Sequence, residues 1–456
     1  MIILLQVNKM LHRPKIITKR YRSTWLNTGK YSFHCLHPSI RTSIMGIIPY
    51  LCVIGFVYLL TRLFSIFPYL DHILTVTLGE EVDKLEKKPF IIHASIGHGH
   101  CRAAEILQRE LKLQTTINPQ VLDLVLHAPY WKSIKQNYYR LLQHAPFLWG
   151  GMYKSTDVIT IWTLLLKNVL KACMIQNSWL TEIEKAPLII STHPIVTAML
   201  AEWKKARHIQ LPLYHVHTDF GFHQVAEHSE VNGYFLSNLA TPPAHTSCYY
   251  QFGIPVEPKR QTLLPIDYNK KKYSIHLNKK VIMIAGGGEG LAPFEKIIHE
   301  CKWFPPSIFL CMTGLKHHKQ RIYTQYGHEI HVIPFTSAFS DYVQLADVLI
   351  TKAGGLTLAH ALTTNTPVVL FQPIPGQETE NAYLLEEKEA VCFVQCINQL
   401  SKSVNKLLRD PVFRDERIRN AHHISRPDAT RNIIQQIVCD HGLFSVPLAS
   451  KSIAEY

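Results

Sequence analysis

From residue 88 onward, short apolar runs rich in Val, Ile and Phe alternate with stretches whose apolar residues recur at helical spacing. Such runs read as strands and the stretches between them as helices. In a first half the pattern predicts strands at Phe90–Ala94, Val121–Val125, Leu188–Ser191, Leu213–Thr218 and Tyr234–Ser237. In a second half it predicts Val281–Ala285, Ser307–Met312, His331–Phe335, Val348–Thr351, Pro367–Phe371 and Val391–Val394. Strands followed by helices imply parallel sheets covered on both faces, an α/β class. Residues 255–280 are rich in Pro and Lys and poor in pattern, and read as an interdomain linker. The expected domains are 88–260 and 281–410, with helices over 411–440 packing across both. Two doubly wound domains would face each other across a cleft at the carboxyl ends of their strands, where ligands bind.

The first 87 residues follow another pattern. Residues 44–61, IMGIIPYLCVIGFVYLLT, carry no charge, and the greasy character continues to Leu70. Eighteen apolar residues lie at the lower edge of the ~17–25 that span a bilayer. The stretch 44–70 is therefore a membrane-anchor candidate, with a signal-peptide core or a buried helix as the plainer alternatives. Residues 1–43 hold eight Lys or Arg and no acid, so they form a basic arm or targeting extension. That arm carries +8 of the formal +14, leaving +6 for the rest. Positive-inside logic keeps the arm in the cytosol, and a shallow interfacial segment would leave the remainder there too.

Composition narrows the classes further. A chain with 47% hydrophobic and 18% charged residues is not disordered. No internal repeat or low-complexity tract is visible. The ten cysteines form no CxxC pair, so neither a zinc ribbon nor a thioredoxin motif is present, and scattered thiols suit a reducing compartment. No nucleic-acid reading motif accompanies the basic arm, so nucleic acid is not an expected partner.

Candidate chemistry gathers at predicted strand ends. Gly97, Gly99 and His100 follow FIIHA and open a helix, a junction with free amides and the positive end of a helix dipole. His100 is suited to act as a base near neutral pH, or simply to cap the turn. After VLIT comes Lys352-Ala353-Gly354-Gly355-Leu356-Thr357, whose helix-start amides, lysine and hydroxyl suit a diphosphate. Gly286, Gly287 and Gly288 follow VIMIA. After PVVLF, the segment PIPGQETEN offers Gln377, Glu378 and Asn381, amide and carboxylate groups suited to sugar hydroxyls.

The segments GHGHCRAAEIL, THP, HTDFGFH, FGIPV, AGGG, ADVLITKAGGLTLAHAL and PVVLFQPIPGQETENAYLL resemble the monogalactosyldiacylglycerol synthase and processive diacylglycerol glucosyltransferase family, glycosyltransferase family 28 with the GT-B fold. The resemblance covers about residues 88–440 and rests chiefly on the last two segments. It implies an inverting hexosyl transfer from UDP-glucose or UDP-galactose to diacylglycerol, with no metal or organic cofactor; the basic surface is expected to meet an anionic membrane surface, and an interfacial segment would leave the catalytic domains on the cytoplasmic face. It places Gly286 to Gly288, Thr313 and Phe335 near the nucleotide. Lys352, Gly354, Gly355 and Thr357 would cradle the diphosphate, and Gln377, Glu378 and Asn381 would contact the sugar. His100 would be the base, with Asp219 and His223 lining the cleft beside it. His360 stands where the family carries a Glu for the ribose, Ala226 where it carries Trp, Asn232 where it carries Asp, and Ser95 where plant members carry Asp. A polyprenyl-linked acceptor, or a non-catalytic nucleotide-sugar or lipid-binding role, are the alternatives. On the acceptor side, residues 126–179 interleave four tryptophans, Trp131 and Trp149 among them, with Lys and Arg. That mixture suits a membrane interface.

Overall fold

The computed structural model describes residues 88–115, 117–127, 129–145, 178–242, 248–257, 270–276 and 278–442. The basic arm, the 44–70 run, Trp149 and the rest of 146–177 lie outside the described residues. Among the described residues no helix is long and apolar enough to cross a membrane.

The first half is a six-stranded parallel sheet of β1 (Phe90–His93), β2 (Gln120–Asp123), β3 (Ile189–Ser191), β4 (Leu213–Val216), β5 (Gly233–Phe235) and β6 (Tyr249–Tyr250), in the order β2-β1-β3-β4-β5-β6. Its helices are α1 (His98–Gln114), α2 (Leu124–His127), α3 (Pro129–His144), α4 (Ser178–Glu184) and α5 (Pro194–Arg207). The second half has seven strands: β7 (Val281–Ala285), β8 (Ile308–Gly314), β9 (Arg321–Gln325), β10 (His328–Pro334), β11 (Val348–Thr351), β12 (Val368–Phe371) and β13 (Cys392–Val394). Their order is β13-β12-β11-β7-β8-β10-β9. Around them lie α6 (Phe294–Glu300), α7 (Phe339–Leu345), α8 (Gly355–Thr363), α9 (Gln377–Glu387), α10 (Ile397–Arg409), α11 (Pro411–Ile424) and α12 (Ala429–His441).

Three features depart from the predicted pattern. Leu124 and Val125 turn into α2 instead of extending β2. Strand β6 is only two residues long. Strand β9 is exposed at four of its five positions and runs antiparallel to β10, the one exception to parallel pairing in the described sheets. An edge strand bare on both faces has no apolar periodicity to betray it.

Period-two alternation builds the second core. Ile282 and Ile284 of β7 face Leu400, Val404 and Leu407 of α10. Val281, Met283 and Ala285 face the opposite layer, with Leu358 and Leu362 of α8. Helix α12 returns to the first half, where Ile433, Ile434, Ile437 and Val438 join Ile91, Leu107, Leu188 and Phe235. Its first turn is tied down where the linker begins, because the Thr430 hydroxyl accepts from the Val256 amide at 3.0 Å and donates to the Val256 carbonyl.

Strand order fixes where a ligand can go. In the first sheet the chain steps from β1 to β2 on one side, then to β3 on the other. In the second it steps from β7 to β8, and later to β11 on the opposite side. Each reversal opens a crevice at the strands' carboxyl ends. The loops at those ends are 94–97 and 192–193 in one half, 286–293 and 352–354 in the other.

Candidate active site

The two crevices meet in one cavity of about 480 Å³. Three helices start at its border, α1, α8 and α9, each with a glycine N-cap (Gly97, Gly354, Gly376) and no side-chain cap. A helix start leaves amides without intrahelical partners, and the dipole makes that end positive. Glycine is required where the halves touch. A side chain at Gly288 would overlap the His98 ring, and one at Gly355 would overlap the Thr218 carbonyl.

His100 lies in the first turn of α1, at the first switch point. Its Nδ1 is 2.7 Å from the Thr192 carbonyl oxygen, at the end of β3, and 3.1 Å from the Thr218 hydroxyl. A carbonyl can only accept, so Nδ1 carries the proton and Nε2 keeps its lone pair. Burial lowers the imidazole pKa to about 4, against the opposing pull of Asp219, so the ring is neutral at pH 7. His100 lines the cavity, as do Gly97 and Gly99. Asp219 also lines it, buried beside His100. Burial works against the Asp219 charge, but hydrogen bonds from His223 and Asn381 prevail and hold its carboxyl well below the usual carboxylate range. A fixed negative charge close to His100 favours the imidazolium formed when that ring takes a proton.

Across the cavity stand Gly286, Gly287, Gly288, Phe335, Lys352, Gly354, Gly355, Thr357, His360, Gln377 and Glu378. Lys352 Nζ is 2.6 Å from Glu378 Oε1, while the Ile374 amide donates to Glu378 Oε2 at 2.8 Å. The Gln377 side-chain oxygen is buried with no hydrogen-bond partner among the described residues. An orphaned acceptor on a cavity wall is unfavourable until a ligand hydroxyl or amide reaches it.

Three residues expected at the site are placed elsewhere. Thr313 is buried within β8, and its hydroxyl donates to the Ile333 carbonyl at 3.2 Å; Met312 and Gly314 line the cavity instead. Asn381 is fully buried behind the wall. Its Nδ2 donates to Asp219 Oδ1 at 2.8 Å and to the Ala353 carbonyl at 3.0 Å, and its Oδ1 accepts from the Phe220 amide at 2.8 Å. It bolts the two halves together, and no cavity-facing hydrogen bond is left for a sugar. His223 also lies off the cavity, with Nε2 3.5 Å from Asp219 Oδ2. Trp131 falls on α3, and its side chain lies outside the described residues.

Tyr138, Tyr139 and Leu142, within the 126–179 stretch expected on the acceptor side, project from α3 over the cleft. The Gly97 amide donates to the Tyr139 hydroxyl at 3.2 Å. Glu289, in the glycine loop after β7, accepts from His98 Nε2 at 3.1 Å, another contact between the halves. Arg102, Glu105 and Glu257 close the end beside His360. Glu289, Arg102, Glu105 and Glu257 were not among the predicted site residues; only the glycine loop around Glu289 announces itself in the sequence, and the other three are ordinary helix or linker residues until the halves dock. Of the departures from the family pattern, Asn232 serves the fold: its Oδ1 accepts from the Leu213 amide at 2.9 Å and from Lys204 at 3.2 Å. Ala226 is buried, and Ser95 donates its amide to Asp123 at 3.0 Å.

Away from the cavity wall, His93, Cys101 and Asp123 bring possible metal-ligand atoms within 4.8 Å of one another. Asp123 Oδ1 already accepts from the Ser95 and Val125 amides, and burial pushes the Cys101 thiol up to about 12, so that side chain is held as the weakly ligating thiol.

Comparison with known proteins covers both halves. The family model of monogalactosyldiacylglycerol (MGDG) synthase matches residues 100–256, and that of the glycosyltransferase family 28 C-terminal domain matches residues 281–437. Processive diacylglycerol beta-glucosyltransferase of Bacillus subtilis (strain 168) is 25% identical over 392 residues, covering 81% of this chain and 99% of that protein. Its counterpart in Bacillus pumilus (strain SAFR-032) is 26% identical over 377 residues, covering 77% and 94%. Among solved structures, the spinosyn rhamnosyltransferase SpnG superposes with a TM-score of 0.51 at 13% identity, covering 76% of this chain and 100% of that one. At that identity the likeness is one of fold.

Proposed function

Since this chain belongs to the monogalactosyldiacylglycerol synthase and processive diacylglycerol glucosyltransferase family of GT-B glycosyltransferases, we propose that it moves a hexose from a UDP-sugar to the free hydroxyl of diacylglycerol, with inversion at the anomeric carbon. The observation that carries this reading is the opposition across one cavity of the His100 Nε2 lone pair and the uncapped start of α8.

In this reading the diphosphate rests on the amides of Gly355, Leu356 and Thr357. Lys352 turns from Glu378 towards the phosphate, and Glu378 is released to accept from a sugar hydroxyl beside the orphaned Gln377 oxygen. The acceptor hydroxyl enters from the first half and gives its proton to His100 Nε2 as its oxygen attacks the anomeric carbon. The imidazolium is stabilised by Asp219 and by its Nδ1–H bond to Thr192. The departing UDP carries its growing negative charge into the helix-start amides and Lys352. We assign no step to a metal or organic cofactor. The enzyme would work at a membrane surface, with the two α/β halves on the cytoplasmic side, where both a nucleotide sugar and a lipid can reach the cleft.

The test is a donor panel of labelled UDP-glucose and UDP-galactose, offered with diacylglycerol vesicles and analysed for glycolipid and its anomeric configuration. A β-linked glycolipid from one of these α-linked donors is the expected product. UDP-sugar hydrolysis without lipid product, or an α-linked product, would overturn the reading.

A further inference from the structure

The far end of the cavity holds a group that the mechanism leaves unused. Five carboxylates line the cavity: Glu105, Asp219, Glu257, Glu289 and Glu378. Asp219 is committed to Asn381 and His223. Glu289 is committed to His98, and Glu378 accepts from Lys352 and the Ile374 amide. Glu105 is more than half exposed and pairs with Arg102 at 2.7 Å. Glu257 differs. Its Oε1 accepts from both Arg102 and Arg109, the latter at 3.1 Å, while Oε2 has no hydrogen bond among the described residues. Two arginines thus hold the carboxylate in place, with one oxygen left for another donor.

His360 lies beside it. The imidazole is buried on the cavity wall, makes no side-chain hydrogen bond among the described residues, and feels the charges of Glu257 and Arg102. It lies on the same face of α8 as Leu356 and Thr357, one turn beyond the helix start. At a rise of ~1.5 Å per residue it is roughly 5–7 Å from the amides that would meet a phosphate. That is the separation between the diphosphate of a nucleotide and its ribose.

We infer that Glu257 Oε2 and the His360 ring together read the vicinal ribose diol of the bound nucleotide, Glu257 accepting from one hydroxyl and His360 bonding the other. The inference rests on the proposed nucleotide-sugar reading and adds a specificity-determining carboxylate supplied by the linker, not by the helix that holds the phosphates. Arg102, which also reaches the Ser337 carbonyl at 3.4 Å, positions it across the domain boundary.

The test uses the full chain and two probes, UDP and 2′-deoxy-UDP, titrated by calorimetry. Wild type should prefer UDP about ten- to a hundredfold, the scale of one hydrogen bond to a charged group. Glu257→Gln should bind UDP only as tightly as 2′-deoxy-UDP, while Arg109→Ala, which keeps the carboxylate, should retain discrimination. Adding His360→Glu to Glu257→Gln should restore the preference by returning one carboxylate to the diol. The same change in wild type should weaken UDP binding by crowding two carboxylates. Undiminished discrimination in Glu257→Gln, an equal loss for both probes, or no rescue in the double variant would each overturn the inference. UDP binding with no preference in wild type would sink it alone. Absence of UDP binding in wild type would instead sink the donor reading on which it rests.

Discussion

Asn381 shows how a residue's role depends on what docks against it. In PIPGQETEN its amide reads as a sugar contact. In the folded protein that amide satisfies Asp219, Phe220 and Ala353 from two different halves. Truncation would leave two buried acceptors and one donor unpaired, each costing ~1–3 kcal/mol. Asn381→Ala should therefore lower the melting temperature and weaken UDP and UDP-hexose binding in equal proportion. A selective loss of UDP-hexose affinity, with melting unchanged, would return Asn381 to the sugar site. Gln377, four residues earlier in the same motif, behaves oppositely, since its buried oxygen has no hydrogen-bond partner among the described residues. Gln377→Leu should remove an unfavourable buried acceptor and raise the melting temperature slightly, while slowing transfer with the hexose bound. The check is a melt alongside a kcat measurement.

At the scale of elements, the strand ends were legible because the signal is local. A run of Val, Ile and Phe followed by two glycines and a helical pattern is enough to place 97–100, 286–288 and 352–357 at carboxyl ends of strands. What the pattern did not carry were groups assembled from distant segments: Glu289 clasping His98, Arg102 reaching Glu257, and Glu257 arriving from the linker. Thr313 and His223 were misplaced for a similar reason. Their residue types suit a site, but β8 turns Thr313 into the sheet, and the turn after Asp219 carries His223 behind the wall. The glycine starts of α1, α8 and α9 are elements acting together. Gly355→Ala would push α8 away from Thr218, widening the cleft at the proposed phosphate site. UDP affinity should drop at least tenfold by calorimetry, with circular dichroism nearly unchanged; unaltered affinity would show that the close approach is dispensable.

Over the whole molecule, buried histidines set the acid limit. The His223 amide donates to His217 Nε2 at 3.1 Å, so neutral His217 carries its proton on Nδ1, 2.8 Å from His215 Nε2. His215 then donates from Nδ1 to the Thr197 hydroxyl at 2.6 Å. Each ring in this chain must stay neutral, because a second proton would set two N–H groups against each other. Burial lowers His217 to about 3 and His360 to about 4, and holds His193 and His215 well below their ordinary 6.5. The folded values are depressed, so as pH falls below 6.5 the unfolded chain takes up protons that the folded protein refuses. Stability is full above 6.5 and declines from there towards about 4, by up to about 1.4 kcal/mol per pH unit for each such histidine. Denaturant unfolding at pH 7.5 and 5.5 should show a lower midpoint at 5.5. Equal midpoints would mean that the rings are not held neutral.

The same neutrality is what equips His100 to accept a proton. The direct test is transfer by His100→Ala measured beside wild type, with saturating UDP-hexose and diacylglycerol vesicles, and with UDP affinity measured separately. The predicted result is a fall in kcat of ~10²–10⁴, the scale of general base catalysis, at unchanged UDP affinity. Turnover near that of wild type would contradict the assignment of the base, and with it the reading of the cavity as a site where the lipid hydroxyl is activated opposite the phosphate-holding helix.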